Sequence, residues 1–449
     1  MRVLLVAYDN DDYIGSFPIG LGFIAAAIEK TEHSVDIYQQ DIHHYSPEHL
    51  AKVASEYDVV GTGMCAGYYQ YAALKKIAEA VKVPLIVGGP MVTATPEYFL
   101  HKGMADIVVM GEGDLTIVDL LDNMDNLGAV EGIAYRNGDQ VVVNPRRAPA
   151  VLSELPWPSY DLFDIEHYRL QKRQRMANSE FSIPIMTARG CPFRCNFCYQ
   201  MEPKFRTRDV ADIVSEMKFL REEYNISHFF FADDLLMSSK KRAFEFSEAV
   251  GPMGIKWDCS GRLNYATDDV MHAMADAGCV FVNYGVESFN DDMLKVMNKN
   301  LTTQQILAGV KATLKAGISP GINVIWGNIG ETKEHLWNSV NFVLEYSDAA
   351  QKRTVKPVTP YPGSALYCHA LEKGLLTGPE DFYENKHTNS DLMAVNLTDL
   401  SDEEFYEELG KANHVLIEDY YKKNCVTDQE IMAKLYSGDD TNFRGFRRS

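Results

Sequence analysis

Twice along this chain, short runs of β-branched and apolar residues alternate with stretches of helical periodicity. A proline-dense segment separates the two series. No other feature constrains the fold as much. Short apolar strands spaced by helices form parallel sheets, because each crossover helix covers a sheet face and buries it. In the first series, residues 1–140, strands are predicted at 3–7, 35–38, 59–62, 85–87 and 107–110, with helical patterns between them, as over 20–30 and 72–81. The expectation is α/β: a doubly wound, Rossmann-like parallel sheet. Ligands of such sheets bind beyond the carboxyl ends of the strands. Those ends carry 9–15, 61–67, Gly88-Gly89-Pro90 and Gly111-Glu112-Gly113, where glycine lets backbone approach a ligand closely.

Residues 141–182 hold Pro145, Pro149, Pro156 and Pro158, then the charged run Lys172-Arg173-Gln174-Arg175. That density of proline suits a linker or cap. The alternation restarts over 183–360, with strands predicted at 183–188, 228–232, 256–260, 280–286, 321–326 and 355–359. Helical patterns fall at about 209–224, 239–250, 268–277, 303–316 and 331–346. Six strand–helix units fall short of the eight that close a barrel, so a partial (β/α)6 TIM-type barrel is expected, with its chemistry at the carboxyl ends of the strands. Residues 361–449 form a polar, helical C-terminal region. Within it 397–423 reads as one or two amphipathic helices, and Ser401 followed by Glu404 is a capping box.

The first strand of the second series delivers three cysteines, Cys191, Cys195 and Cys198, in Thr187-Ala-Arg-Gly-Cys-Pro-Phe-Arg-Cys-Asn-Phe-Cys-Tyr199. Their spacing also matches one face of a helix, and free cysteine is often a small core residue. Gly190 before the first cysteine and Pro192 after it disfavour a helix there. Structural zinc takes four protein ligands, and no second Cys or Cys/His pair lies nearby. Three thiolates suit a four-iron four-sulfur cluster, and a cluster held by three keeps one iron free for another ligand.

Composition narrows the context. A net charge of −20 over 449 residues argues against a nucleic-acid partner, which favours a basic face. Eight cysteines without a paired framework, three of them needed as thiolates, point to a reducing cytoplasm. The apolar start at residues 1–6 lacks the length and cleavage pattern of a signal peptide, and no run approaches a membrane span.

With these motifs in place, residues 1–367 resemble the radical S-adenosylmethionine (SAM) enzymes that carry an N-terminal cobalamin-binding domain. That group includes the anaerobic magnesium-protoporphyrin ester cyclase and carbon methyltransferases. The Cys-x3-Cys-x2-Cys triad at a strand end carries the likeness most strongly. Asp233-Asp234, Gly285-Val-Glu-Ser288, Gly327-Asn-Ile-Gly-Glu331 and Pro360-Tyr-Pro-Gly363 are similar to further landmarks in the same order. The resemblance implies a 4Fe-4S cluster on the three cysteines, with SAM chelating the open iron. One electron, from a donor such as flavodoxin or ferredoxin, then breaks the sulfonium carbon–sulfur bond to give a 5′-deoxyadenosyl radical. It also implies SAM contacts at Tyr199, Asp233, Asp234, Arg262, Glu287 and Ser288. Phe193 and Phe197 would shield the cluster or simply pack locally. Arg189 and Arg194 would offset thiolate charge or be solvated.

For cobalamin, the resemblance implies contacts at Asp12, Gly15, Thr62, Gly63, Gly88, Gly89, Pro90, Gly111, Glu112 and Gly113. The stretch Asn10-Asp-Asp-Tyr-Ile-Gly15 stands where relatives that ligate the cobalt have Asp-x-His-x-x-Gly, so no histidine ligand is supplied there. A dinucleotide fingerprint fits poorly, since Gly61-Thr-Gly63 and Gly67 are misspaced and follow the third strand, not the first. The leading expectation is a cobalamin-dependent methyltransferase acting on an unactivated carbon. A radical cyclase or ring-rearranging enzyme would share every motif, and a sensor that holds the cofactors without turnover is the non-enzymatic alternative. Transfer-RNA methylthiotransferases share the triad, but their N-terminal domain adds three cysteines where this one has only Cys65. No motif names the substrate.

Overall fold

The computed structural model describes residues 1–425 apart from 12, 13, 66, 202 and 203. Its first sheet holds β1 (Arg2–Ala7), β2 (Ser34–Gln39), β3 (Val59–Gly63), β4 (Leu85–Gly88), β5 (Ile107–Val109), β6 (Ile133–Asn137) and β7 (Gln140–Val143), in the order β2-β1-β3-β4-β5-β6-β7. β1 to β5 are parallel, as expected. Alternation along β1 explains why both faces are covered. Val3 and Leu5 point into one apolar cluster with Ala25, Ile28 and Leu120, while Leu4 and Val6 point into another with Leu74, Ile77 and Phe99.

The expected parallel sheet is extended at one edge. β6 and β7 add an antiparallel hairpin beyond β5, and β7 runs past residue 140, where the first domain was expected to stop. The expected linker is also less idle than its prolines suggest. Tyr160, Phe163, Ile165 and Tyr168 are buried and pack around Phe17 and the second sheet's core.

The second sheet is a six-stranded partial barrel. Its strands are β8 (Ser182–Ile185), β11 (His228–Phe231), β12 (Lys256–Gly261), β13 (Cys279–Glu287), β14 (Ser319–Trp326) and β15 (Lys356–Pro357), all parallel and in sequence order. A two-stranded ribbon, β9 (Ala188–Arg189) with β10 (Arg206–Thr207), brackets the cysteine loop between β8 and β11. Helices Val210–Tyr224, Lys240–Val250, Asp268–Asp276, Thr303–Lys315 and Lys333–Tyr346 cover the outer face. Among the described residues, no helix is long and apolar enough to cross a membrane.

The C-terminal region splits between the two sheets. Helix Asp402–Asn424 is a single element with the predicted capping box at Ser401 and Glu404, and it packs on the barrel, where Phe405 stacks on Trp326 at 4.2 Å. The segment before it returns to the first sheet instead. Leu366, Ala370, Phe382 and Tyr383 join the core of the first domain. Tyr71 donates to Glu384 (2.5 Å), and Lys75 pairs with the same carboxylate (3.0 Å).

Candidate functional site

The cysteine loop leaves β8 at the carboxyl end of the barrel and is fastened before and after the thiols. Thr187 is fully buried, and its N–H, its hydroxyl and the Ala188 N–H all donate to Asp233, the N–H groups at 2.6 and 2.9 Å. Both carboxylate oxygens of Asp233 are therefore committed to the approach to Cys191. Gly190 then turns the chain at φ +80°, a left-handed conformation that L side chains rarely adopt. The loop is not helical, in agreement with the reading of Gly190 and Pro192. Past the first cysteine, the Gln200 side chain donates to the Cys191 carbonyl (2.8 Å) and to that of Phe193. Asn196 reaches furthest. Its N–H donates to Met297 O (3.0 Å), its carbonyl accepts from Leu366 N–H (2.9 Å), and its side chain exchanges hydrogen bonds with Asn328 (3.0 and 3.1 Å).

The thiols themselves stand together. Cys198 donates to the Cys195 sulfur, which holds Cys195 below the ordinary thiol range and pushes Cys198 up; Lys299 and Arg262 add cationic support at Cys195. Burial raises Cys191, and the Asp234 carboxylate adds to the shift. Among the described residues no three His, Cys, Asp or Glu side chains converge as ligands of one metal ion. Reactive thiolates are favoured by neighbouring cations, and Arg262 and Lys299 provide them. The residues present fit a 4Fe-4S cluster.

The other expected SAM residues gather at the same mouth but differ in freedom. Asp234 is exposed, and its carboxylate raises the Cys191 thiol. Glu287 ends β13 at φ +66° and is paired with Lys299 (2.8 Å). Ser288 is fully buried, and its hydroxyl accepts from Asn290 (3.0 Å). The Arg262 guanidinium lies 3.5 Å over the Phe193 ring and donates to Asn300 O (3.1 Å) and to Lys299 O. The Tyr199 ring lies on the backbone of Gly363, which has φ +89° and no room for a Cβ. Arg194 is exposed and bonds Gln200 (2.9 Å).

Two residues outside the expected set hold this mouth together. Lys299 lacks any sequence signal, since its partners come from β13 and the cysteine loop. Glu331 belongs to Gly327-Asn-Ile-Gly-Glu331; it is 2% exposed and accepts from Gly327 N–H (2.9 Å) and Asn328 N–H (3.0 Å), so it shapes the turn that presents Asn328 to Asn196. Burial pushes its carboxyl up from 4.5 to about 7. A raised carboxyl binds its proton more tightly in the folded state, so its contribution to stability is full below about pH 4.5 and is lost as pH rises through about 7. In Glu331→Gln the turn should keep its hydrogen bonds without titrating. Denaturation midpoints should show the variant gaining on the wild type by on the order of 3 kcal/mol between pH ~5 and ~8, at about 1.4 kcal/mol per pH unit. A constant difference across that range would contradict a titrating Glu331.

In the first domain, strand order reverses between β1 and β3, which opens a crevice at their carboxyl ends. Gly15, Gly63, Gly88, Gly89 and Pro90 lie along that end, with open space above Gly63. Asp41, just past β2, is buried; its Oδ2 accepts from the Tyr168 hydroxyl (2.7 Å), and its Oδ1 has no partner among the described residues. An orphaned buried acceptor beside an open crevice fits a ligand with amide donors, and a corrin ring carries such side chains, so cobalamin fits. Four of the expected contacts are engaged within the protein. The Thr62 hydroxyl donates to Val6 O (2.9 Å), Gly111 N–H donates to Thr93 (3.1 Å), and Gly113 lies tightly against Ile24. Glu112 is taken up by arginines: Arg206 pairs with it, Arg189 approaches at 3.4 Å, and Arg189 also bonds Asp114 at 2.6 and 3.0 Å. Arg189 thus ties the strand before Cys191 to the first domain, a role its sequence context did not signal. Asp12 lies outside the described residues.

Comparison with known proteins agrees with this geometry. A radical SAM superfamily model matches residues 185–343, and a B12 binding domain model matches residues 15–121. The chain is 32% identical over 398 residues to an uncharacterised methyltransferase of Pyrococcus horikoshii, covering 84% of each protein. It is 24% identical over 459 residues to the cytidylyl-2-hydroxyethylphosphonate methyltransferase of Streptomyces wedmorensis, covering 88% of this chain and 85% of that one. The methyltransferase TsrM of Kitasatospora setae, solved with cobalamin and an iron–sulfur cluster bound, shares the fold at TM-score 0.67 and 18% identity over 84% of this chain and 79% of its own. OxsB, solved with aqua-cobalamin, does so at TM-score 0.66 and 19% identity over 83% of this chain and 55% of its own. The thiol triad at the barrel mouth and the crevice at the strand ends of the first sheet are thus explained together: the chain belongs to the radical SAM enzymes that carry an N-terminal B12-binding domain.

Proposed function

We propose that this protein is a cobalamin-dependent methyltransferase that places a methyl group on an unactivated carbon. The observation that carries the reading is the Arg189 tie. It joins the strand leading into the cysteine triad to the domain matched as B12-binding, which supports a cluster site and a methyl-carrier site working together. Cys191, Cys195 and Cys198 would hold the cluster, and Gly15, Gly63, Gly88 and Gly89 would border the corrin. The cluster and SAM supply radical chemistry, and cobalamin supplies methyl transfer.

The chain's own residues bind, orient and exclude water. Phe193, Phe197 and Tyr199 would shield the thiols, Asp233 and Asn196 fix the loop, and Asp234, whose charge is felt at Cys191, would take a cationic amine. The relatives named for a cytidylyl phosphonate and for a bacteriochlorophyllide differ widely in substrate. What they share with this chain is the common step, so the substrate is set by residues that differ. A one-electron donor of flavodoxin or ferredoxin type completes the cycle.

The test needs no substrate. Anaerobic protein with SAM, reductant and cobalamin should release S-adenosylhomocysteine only when cobalamin is present, together with 5′-deoxyadenosine. A protein that makes 5′-deoxyadenosine but no S-adenosylhomocysteine would be a rearrangement enzyme, and one that makes neither would be a sensor.

A further inference from the structure

Two buried cations sit on the two aromatic rings interleaved with the cysteines. Phe193 lies between Cys191 and Cys195, and the Arg262 guanidinium is 3.5 Å above it. Phe197 lies between Cys195 and Cys198, and the Lys299 ammonium is 5.8 Å from its centre. Both cations are almost fully buried, Arg262 at 6% and Lys299 at 8% exposure. They form one assembly, because Arg262 donates to the carbonyls of Lys299 and Asn300. The turn that carries Lys299 is clasped to the cysteine loop twice: Met297 O accepts from Asn196 N–H (3.0 Å), and the Asn298 side chain donates to Arg194 O (2.7 Å).

The backbone of this assembly is strained. Glu287, Asn298 and Asn300 all have positive φ, at 66°, 52° and 53°. Strain of this kind persists where surrounding contacts impose it and gathers at functional sites. Here it falls on the one carboxylate that pairs with Lys299 and on the residues either side of Lys299. Glu287 itself is 8% exposed, and its Oε1 is 2.8 Å from the ammonium.

We infer that Lys299 and Arg262 set the reduction potential of the cluster, with Glu287 as the opposing charge. The inference rests on the cluster reading above. Three thiolates on a four-iron cluster form an anionic unit, and reduction adds one more negative charge. In a buried, low-dielectric setting a fixed cation favours the more negative state and a fixed anion disfavours it. Lys299 and Arg262 therefore ease reduction, and Glu287 opposes it.

A redox titration of the reconstituted full-length protein without SAM, followed by the spectrum of the reduced cluster, tests the signs. Lys299→Met should shift the reduction equilibrium about tenfold against the reduced form, or ~59 mV more negative for one electron. Glu287→Gln should move it the opposite way. Lys299→Arg, which keeps the charge, should stay near wild type. Should Lys299→Met lose its iron, the Glu287→Gln and Lys299→Arg pair still decides the sign. Unchanged potentials, or Lys299→Met and Glu287→Gln shifting together, would overturn the inference. A wild-type protein that takes up no four-iron cluster would instead overturn the reading beneath it.

Discussion

Cys195→Ala should stay folded and lose its chemistry. Reconstituted wild type should carry about four irons per chain, and the variant should fall well short of that and make no 5′-deoxyadenosine above the reductant blank. The loop around Cys195 owes its shape to other groups: Asp233 before the thiols, Gln200 across them, and Asn196 to Met297, Leu366 and Asn328. None of these bonds uses a sulfur. Removing one partly exposed thiol should therefore cost little stability, within about 1 kcal/mol by the usual range for such sites. Iron content, 5′-deoxyadenosine formation and a melting curve together check it. Continued SAM cleavage by this variant would end the cluster assignment.

The second large effect lies at the join between the domains. Asp114 is 4% exposed and takes both ends of the Arg189 guanidinium, which is itself 13% exposed. Arg189→Leu leaves Asp114 as an uncompensated buried carboxylate, while Glu112 keeps Arg206. Breaking such a pair from one side costs about 3–5 kcal/mol, whereas replacing both partners by apolar groups is often near neutral. Arg189→Leu should therefore be strongly destabilised, and Arg189→Leu with Asp114→Leu should recover most of the loss. A denaturant double-mutant cycle reads this directly. A single-variant cost below about 1 kcal/mol would mean the join is solvated, as exposed pairs are.

Much of the architecture was legible because it rests on local pattern. Every parallel strand of the first sheet lies within a residue or so of its expected place, and the six barrel strands follow in the expected order. The hairpin β6–β7 was missed although it carried a signal, the two-residue loop Gly138-Asp139 between the paired Asn137 and Gln140, with Gly138 at φ +63° as such a turn demands. The cysteine loop was legible because Gly190 and Pro192 act locally.

Lys299 and Arg189 were not, since a charge declares its partner only after the chain has folded. Lys299, in a turn, meets Glu287 at the end of β13, and Arg189 meets Asp114 across 75 residues of chain. The returning segment was also beyond reach. An amphipathic pattern shows that one face will be buried, but not against which sheet.

That returning segment changes what counts as a module in this protein. Leu366 and Phe382, both fully buried, lie in the same apolar cluster as Leu4 and Val6 of the first strand. The chain goes out to build the barrel and comes back to finish the domain it began with. The two halves are therefore not beads that can be exchanged at residue 140 or 182. A transplanted first domain would arrive with an apolar face uncovered, and a new one would have to match a surface encoded more than two hundred residues downstream. Variation in such a protein is channelled away from swapping whole domains and toward the loops at the rim, where side chains can change without either half losing its cover.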